Sequence, residues 1–200
     1  MSPQEMRSAL ISRTISVIAK DGLDKTTTKA IVSGTGINEA YIYRNFSDKE
    51  GLLIKTFESL DEELLKEALL HVKVMYMKEL AFETRCRIFY DAIWRFLLGN
   101  REKCLAFVRY YYSPYFQKYS ASSHQKRYEP LVKTFSEAFT ERANVWMLLN
   151  HILNVMLDFA IKVYDGAVPD DEDTSEHVFR LLYFSVSPYF QRNNEIRSSS

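Results

Sequence analysis

Cysteine, proline and glycine are scarce in this 200-residue chain, with 2 Cys, 5 Pro and 6 Gly. The two cysteines, Cys86 and Cys104, do not form a CxxC pair, so neither a zinc-binding framework nor a disulfide scaffold is indicated. Buried, reduced thiols suit them, as does a reducing cytoplasm. With 46% hydrophobic and 26% charged residues, the composition excludes collagen-like, low-complexity and disordered chains. Net charge is absent as well. The 26 basic residues balance 26 acidic ones, so bulk electrostatics announce no nucleic-acid partner. Long apolar runs are lacking: VWMLL at 145–149 is far too short to span a bilayer, and the N-terminal MSPQEMRSALISRT holds no signal-like core. No membrane partner is expected.

Chemistry-bearing motifs are missing too. There is no HExxH, ExxH, GxSxG or glycine-rich phosphate loop, so no catalytic residue and no cofactor are assigned and an enzyme is not expected. The acidic stretch DGAVPDDEDTSE at 165–176 lacks the spaced Gly and Glu of a calcium loop. It reads as a solvated loop that can cap the following helix, and no metal is expected.

What is present is helical periodicity almost throughout, with no alternating run that would argue for a strand. A first helix over 4–21 places Leu10, Thr14, Val17 and Ile18 on one stripe and stops at Gly22. A short second helix follows TTT at 26–28, turning Ala30 and Ile31 inward and breaking near Gly34 to Gly36. A third begins with Asn38 as its cap and ends by Phe46. SDKE at 47–50 then predicts a capping box, Ser47 with Glu50, opening a fourth helix to about Leu70. Three helices in under fifty residues, with the tight break TGIN, describe a helix-turn-helix unit. Further helices are expected at about 81–98, 101–113, 126–141, 144–165 and 174–190, with SASS at 120–123 among the breaks and RNNEIRSSS as a frayed tail.

The third helix is the informative one. Ile42 and Phe46, four apart, face inward beside Ile37, which leaves Glu39, Ala40, Tyr41, Tyr43, Arg44 and Asn45 on exposed faces. Arg pairs with phosphate or guanine, Asn with adenine, and small Ala40 allows close approach to a groove floor. Thr27 and Thr28 can aim hydroxyls at a phosphate, and Lys49 stands in the first turn of the fourth helix. The same pattern also suits a plain helical subdomain, and spacing alone does not choose between them. The first fifty residues carry seven basic and six acidic side chains, so any DNA affinity must come from where charges point.

The segment ISRTISVIAKDGLDKTTTKAIVSGTGINEAYIYRNFSDKEGLL resembles the N-terminal domain of the TetR family of bacterial transcriptional regulators. Gly22, Thr27-Thr28, Gly36-Ile37, Tyr43, Phe46, Lys49, Glu50 and Leu52-Leu53 carry the resemblance over about 45 residues. It implies an all-α fold: a DNA-binding domain at 1–50, a connecting helix at 51–70, and a helical effector-binding and dimerisation domain at 71–200. It further implies that Thr28, Tyr43 and Lys49 hold phosphates of double-stranded DNA. Lys29, Glu39, Ala40 and Tyr41 would approach base edges, with Arg44 and Asn45 near the backbone and Asn38 as the cap. The sequence departs from the family at Val32 and Thr35, where small alanines are usual, at Gly34, at Asn38 for serine and at Ala40 for glycine. These changes bear on operator preference.

The resemblance also implies a small-molecule effector within the C-terminal half. Aromatic residues crowd 76–135, including FVRYYYSPYFQKY at 107–119. Ordinary core packing is the alternative for such a segment, but many of these rings carry polar donors. Tyr90, Trp94, Tyr111 and Phe116 are the expected lining of an effector pocket. Asn150, Asn154 and Asp158 repeat every four residues as a polar stripe that either lines that pocket or faces water, and His151 reads as a hydrogen-bonded structural residue. The final helix, HVFRLLYFSVSPYF, is apolar on nearly every side and needs a cover. Pairing with the preceding helix and with the same two helices of a second copy would supply one, so a homodimer is expected through Ile152, Met156, Phe159, Phe179, Leu182, Tyr183 and Val186. Together these readings predict a ligand-responsive repressor bound to a near-palindromic site. A DNA-binding protein without a small effector, or a helical-bundle enzyme, are the alternatives.

Overall fold

A computed structural model describes residues 2–191; the tail RNNEIRSSS lies outside the described residues. Every regular element among them is helical: α1 (Pro3–Asp21), α2 (Thr28–Val32), α3 (Ala40–Phe46), α4 (Lys49–His71), α5 (Phe82–Gly99), α6 (Arg101–Tyr111), α7 (Ala121–Arg127), α8 (Glu129–Ser136), α9 (Val145–Tyr164) and α10 (Glu172–Val186). Short 3-10 turns follow α4 and α10, and a π-helical turn, Phe116–Ser120, precedes α7. The chain divides into two compact units. The first is Met1–Leu64 with Asn100–Lys126, and the second is Leu65–Gly99 with Arg127–Ser200.

In the first unit the expected stripe of α1 is formed: Leu10, Thr14, Val17 and Ile18 are all buried. Ser2 and Glu5 make a capping box, Pro3 occupies the first turn, and Gly22 ends the helix at φ 86°. Leu10, Ile31, Ile37, Ile42, Phe46 and Leu52 form the core of the N-terminal helices. Ile31 is buried as expected, while Ala30 is only half-buried. Helix α6 packs along α1. Arg109 Nη1 donates to the carbonyls of Ile18 (2.6 Å) and Ala19 (2.8 Å), satisfying carbonyls at the end of α1. Phe57 of α4 stacks on Tyr110 (centroids 4.7 Å apart) and packs against Phe107, Phe116 and His124. Beside this aromatic cluster, His124 Nδ1 lies 2.8 Å from Asp61 Oδ1, both fully buried.

The second unit is a bundle in which α5 packs on α9 and α10, and α8 on α9. Asn144 caps α9 by accepting from Met147 N (3.0 Å), and Asp171 of the acidic loop caps α10 by accepting from Thr174 N (2.8 Å). Helix α9 is long and apolar enough to cross a bilayer by length and composition, contrary to the expectation drawn from the short run at 145–149, yet it packs within this bundle. Arg87 pairs with Asp91 and Glu176, and Arg180 with Glu176 and Glu83, clasping α5 to α10. The Glu176 carboxyl is held below the ordinary range by its hydrogen bond from Arg180 and then by Arg87.

Four expected boundaries move. Ser47 does not cap α4: its φ of 71° lies outside the extended region a cap requires. Asp48 takes that role, its Oδ1 accepting from Gly51 N (2.7 Å), and the Glu50 carboxylate instead accepts from Tyr119 OH (2.9 Å). The helix expected over 126–141 is two, α7 and α8. Pro130 lacks an N–H and fits the first turn of a new helix better than the interior of an old one. SASS at 120–123, expected to break the chain, lies in the π-helical turn and α7. At the C-terminal end, α10 stops at Val186 and Phe190 forms an isolated antiparallel bridge with Phe139.

Candidate nucleic-acid interface

Helix α2 is anchored by Ile31 and capped by Thr27, whose Oγ1 accepts from Ala30 N (3.1 Å). Its exposed side presents Lys29, with Thr28 half-buried. The turn to α3 needs positive φ at Gly34 (77°) and Gly36 (71°), a region costly for other residues. Thr35 knits this turn: its hydroxyl donates to Val32 O (2.8 Å) and accepts from Ile37 N (3.0 Å). The Gly34 and Thr35 departures therefore both have work in the turn itself.

Helix α3 is only seven residues long, too short to persist alone, so tertiary contacts must hold it. Burial of Ile42 and Phe46, worth about 1.5–3 kcal/mol each, supplies most of that hold. Asn38 Oδ1 accepts from Ala40 N (2.8 Å) at its start. At its end, Arg7 of α1 donates through Nη1 to Asn45 O (3.0 Å), and its guanidinium lies 4.5 Å from the Phe46 ring centroid. With Ile42 and Phe46 inside, Ala40, Tyr43 and Arg44 are exposed and share one face by their i, i+3, i+4 spacing. Tyr43 is 55% exposed.

Tyr41, expected at base edges, and Asn45, expected near the DNA backbone, are both engaged within the domain. Tyr41 packs partly against the core, and its hydroxyl donates to Pro3 O (2.8 Å). Asn45 turns back along the helix, its Nδ2 donating to Tyr41 O (2.9 Å). Glu39 and Lys49 are half-buried at the starts of α3 and α4. Neither residue position nor composition could have shown that Tyr41 meets a carbonyl 38 residues away.

The second unit holds an apolar cavity of about 80 Å³. Its wall comes from Phe82, Cys86, Phe89 and Tyr90 of α5, Phe135 of α8, Leu149, Ile152 and Met156 of α9, and Phe179, Leu182, Tyr183 and Val186 of α10, with Phe139 and Phe190. Tyr90 donates to Ser175 O (3.0 Å), and burial pushes its hydroxyl up to about 12. Burial likewise pushes the Cys86 thiol up to about 12, which keeps it protonated and unreactive. Both cysteines are free thiols.

Of the residues expected to line an effector pocket, Tyr90 lines this cavity, and Trp94 stacks behind it with centroids 5.9 Å apart. Tyr111 and Phe116 do not: they pack together at 4.4 Å within the first unit, around Phe57 and His124. Asn150 and Asn154 are half-buried on α9 outside the cavity wall, Asn150 donating to Trp146 O (3.0 Å). Most of the residues expected at a dimer interface face the interior of the bundle. Ile152, Met156, Phe179, Leu182, Tyr183 and Val186 line the cavity, because the inner face of each helix is the one nearest its bundle neighbours. Phe159 is half-buried, with Lys162 Nζ 4.8 Å from its ring centroid. The apolar side chains left outside on α9 and α10 are instead Met147 (64% exposed), Leu181 (55%) and Phe184 (63%). His151 bonds Ser185 Oγ at 3.1 Å, the structural role expected of it.

Residues 10–56 match the sequence family described as bacterial regulatory proteins, tetR family. No curated protein sequence matches the chain. Among solved structures, it is similar to a TetR family transcription regulator from Marinobacter aquaeolei VT8, with a TM-score of 0.77 at 16% identity over 94% of this chain and 97% of that one. It is similar also to a putative tetR family regulator from Shewanella sp. PV-4, with a TM-score of 0.76 at 14% identity over 93% and 98% of the two chains. A third is the transcriptional regulator FadR from Bacillus subtilis in complex with stearoyl-CoA, with a TM-score of 0.68 at 18% identity over 88% and 96%. Residues 10–56 thus match the tetR family model, and over its described length the chain has the all-α fold of the TetR-family transcription regulators among these solved structures.

Proposed function

We propose that this protein is a dimeric transcriptional repressor that binds a near-palindromic operator and leaves it when a small lipophilic effector enters the C-terminal bundle. The observation that carries the DNA-binding part is the exposed face of α3, Ala40, Tyr43 and Arg44, held outward by burial of Ile42 and Phe46. Lys29 and Lys49, on the elements before and after, add positive charge for the phosphate backbone. Thr28, Asn38 and Glu39 belong to the same surface as helix starts, with Glu39 able to accept from a cytosine amino group. Tyr41 and Asn45 act mainly by fixing the pose of α3, since their polar groups are engaged within the domain.

The effector part is supported by the cavity in the second unit and by the ligand-bound state of a structural neighbour, FadR with stearoyl-CoA. Cavity walls of Phe, Leu, Ile and Met select an uncharged, apolar body. The dimer is supported by Met147, Leu181 and Phe184, large side chains that two antiparallel helices leave uncovered. Two-fold pairing would set the reading helices about 34–36 Å apart or a multiple of it, one DNA turn, which requires a palindromic site. Effector binding lowers DNA affinity by linkage, and a hundredfold change needs only about 2.7 kcal/mol of differential binding.

The test begins with selection of bound duplexes from random DNA, followed by binding assays on variants. Tyr43→Phe and Lys49→Ala should each weaken binding similarly for every sequence. The loss should be roughly tenfold, the worth of one hydrogen bond to a charged group, with the salt slope reduced by about one for Lys49→Ala and unchanged for Tyr43→Phe, which removes no charge. Replacing Lys29 should instead shift sequence preference. Full affinity of the Tyr43 and Lys49 variants at about 0.15 M salt would contradict these roles.

A further inference from the structure

Among the described residues, Arg85 of α5 is a buried cation without an acidic partner. Its side chain is 8% exposed in the second unit. Nη1 donates to Met75 O at 2.7 Å, and the guanidinium carbon lies 5.2 Å from the centroid of Phe82. The Nε–H, fully enclosed, meets no acceptor. Among the described residues no carboxylate pairs with it; the neighbouring Glu83 is bonded to Arg180. Burying a guanidinium is costly unless its charge is matched and its donors are satisfied. The Met75 carbonyl accounts for one donor of five and carries no net charge. The Nε–H stays unsatisfied, and with Nη2 it forms one edge of a planar fork whose spacing matches the two oxygens of a carboxylate.

The location of this edge gives it a purpose. Phe82, under the guanidinium, is also part of the cavity wall, and Cys86, one residue beyond Arg85, lines the same cavity. The Arg85 charge is felt at the Cys86 thiol, where it opposes the effect of burial. An apolar chamber and an unmatched cation are thus separated by one aromatic ring. At about 80 Å³ the chamber is about half the roughly 150 Å³ cavity that admits benzene, so it suits a short aliphatic tail of about three or four carbons.

We propose that the effector is an aliphatic carboxylate whose head pairs with the Nε–Nη2 edge of Arg85 while its tail passes Phe82 into the cavity. This rests on the cavity being the effector site. A turn of the Phe82 ring joins the two compartments, and pairing relieves the uncompensated charge, so the head adds affinity that a neutral analogue cannot match.

The test is calorimetric titration of the full-length protein with pentanoate, 1-pentanol and pentylamine, for the wild type, Arg85→Met and Arg85→Lys. Wild-type protein should bind pentanoate at least tenfold more tightly than 1-pentanol and should not bind pentylamine. Arg85→Met should lose that preference while keeping 1-pentanol affinity within about threefold. Arg85→Lys keeps the charge and a donor for Met75 O but not the fork, and should fall between. Equal binding of pentanoate and 1-pentanol by the wild type, or a preference that survives Arg85→Met, would overturn the headgroup assignment and leave the cavity as an effector site. No binding of either ligand would overturn both. Should Arg85→Met fail to fold, the Arg85→Lys comparison and the wild-type ligand series decide alone.

Discussion

Arg7 offers a way to separate holding the reading helix from touching DNA. Its guanidinium satisfies Asn45 O, one of the terminal carbonyls of α3, and covers the Phe46 ring. A hydrogen bond from a charged donor is worth about 1.5–3 kcal/mol and an exposed cation–π contact about 0.5–1 kcal/mol. Ordering the long side chain and partial solvation offset much of this, leaving a net contribution of about 1–2 kcal/mol. Arg7→Ala should therefore raise local opening of α3 by roughly 5–30-fold and weaken DNA binding only by as much as the closed, binding-competent fraction falls. Amide exchange of Tyr43 to Phe46 would report the opening, and titration of a selected duplex the affinity. The salt dependence discriminates: a residue acting through α3 leaves the slope of log K against log salt unchanged, whereas a lost phosphate contact lowers it by about one. Unchanged exchange rates together with a reduced slope would refute the positioning role and make Arg7 a DNA contact.

Two other substitutions follow from the same contacts. Asp61→Leu alone should destabilise the protein by about 3–5 kcal/mol in chemical denaturation, because it removes the buried carboxylate paired with His124 beside the aromatic cluster, and adding His124→Phe should recover part of the loss. Phe184→Glu, on a side chain 63% exposed, should leave the folded monomer intact and shift sedimentation from dimer to monomer, whereas Leu182→Glu should unfold the bundle because Leu182 is buried.

Much of the N-terminal unit was legible in the sequence because its signals are local. Leu10, Thr14, Val17 and Ile18 fall on one helical stripe, and Ile42 and Phe46 repeat at one turn beside Ile37; each is buried as that spacing requires. The α4 start misled because Ser47 and Asp48 are both competent caps. Only the φ of 71° at Ser47 decides between them, and no residue pattern encodes it. Tyr41 misled for the opposite reason. On a helical wheel it stands among the exposed residues, but the packing of α1 brings Pro3 O to its hydroxyl, a contact set by tertiary structure alone.

The C-terminal helices show where periodicity stops being informative. In α10 the set Phe179, Leu182, Tyr183 and Val186 and the set Leu181 and Phe184 both recur at helical spacing, so each makes an apolar face. A helix apolar on two sides must meet two partners, and sequence cannot say which side meets the partner within the chain. The structure assigns the first set to the bundle and its cavity and leaves the second outside. That allocation changes the meaning of a mutation: a charge at 182 tests folding, while a charge at 184 tests association. It also explains why the buried cation went unread. Arg85 sits in the run ETRCR, where any arginine would be taken for a solvated one, and only its enclosure beside Phe82 distinguishes it from Arg87, which finds Asp91 and Glu176 two residues further along the same helix.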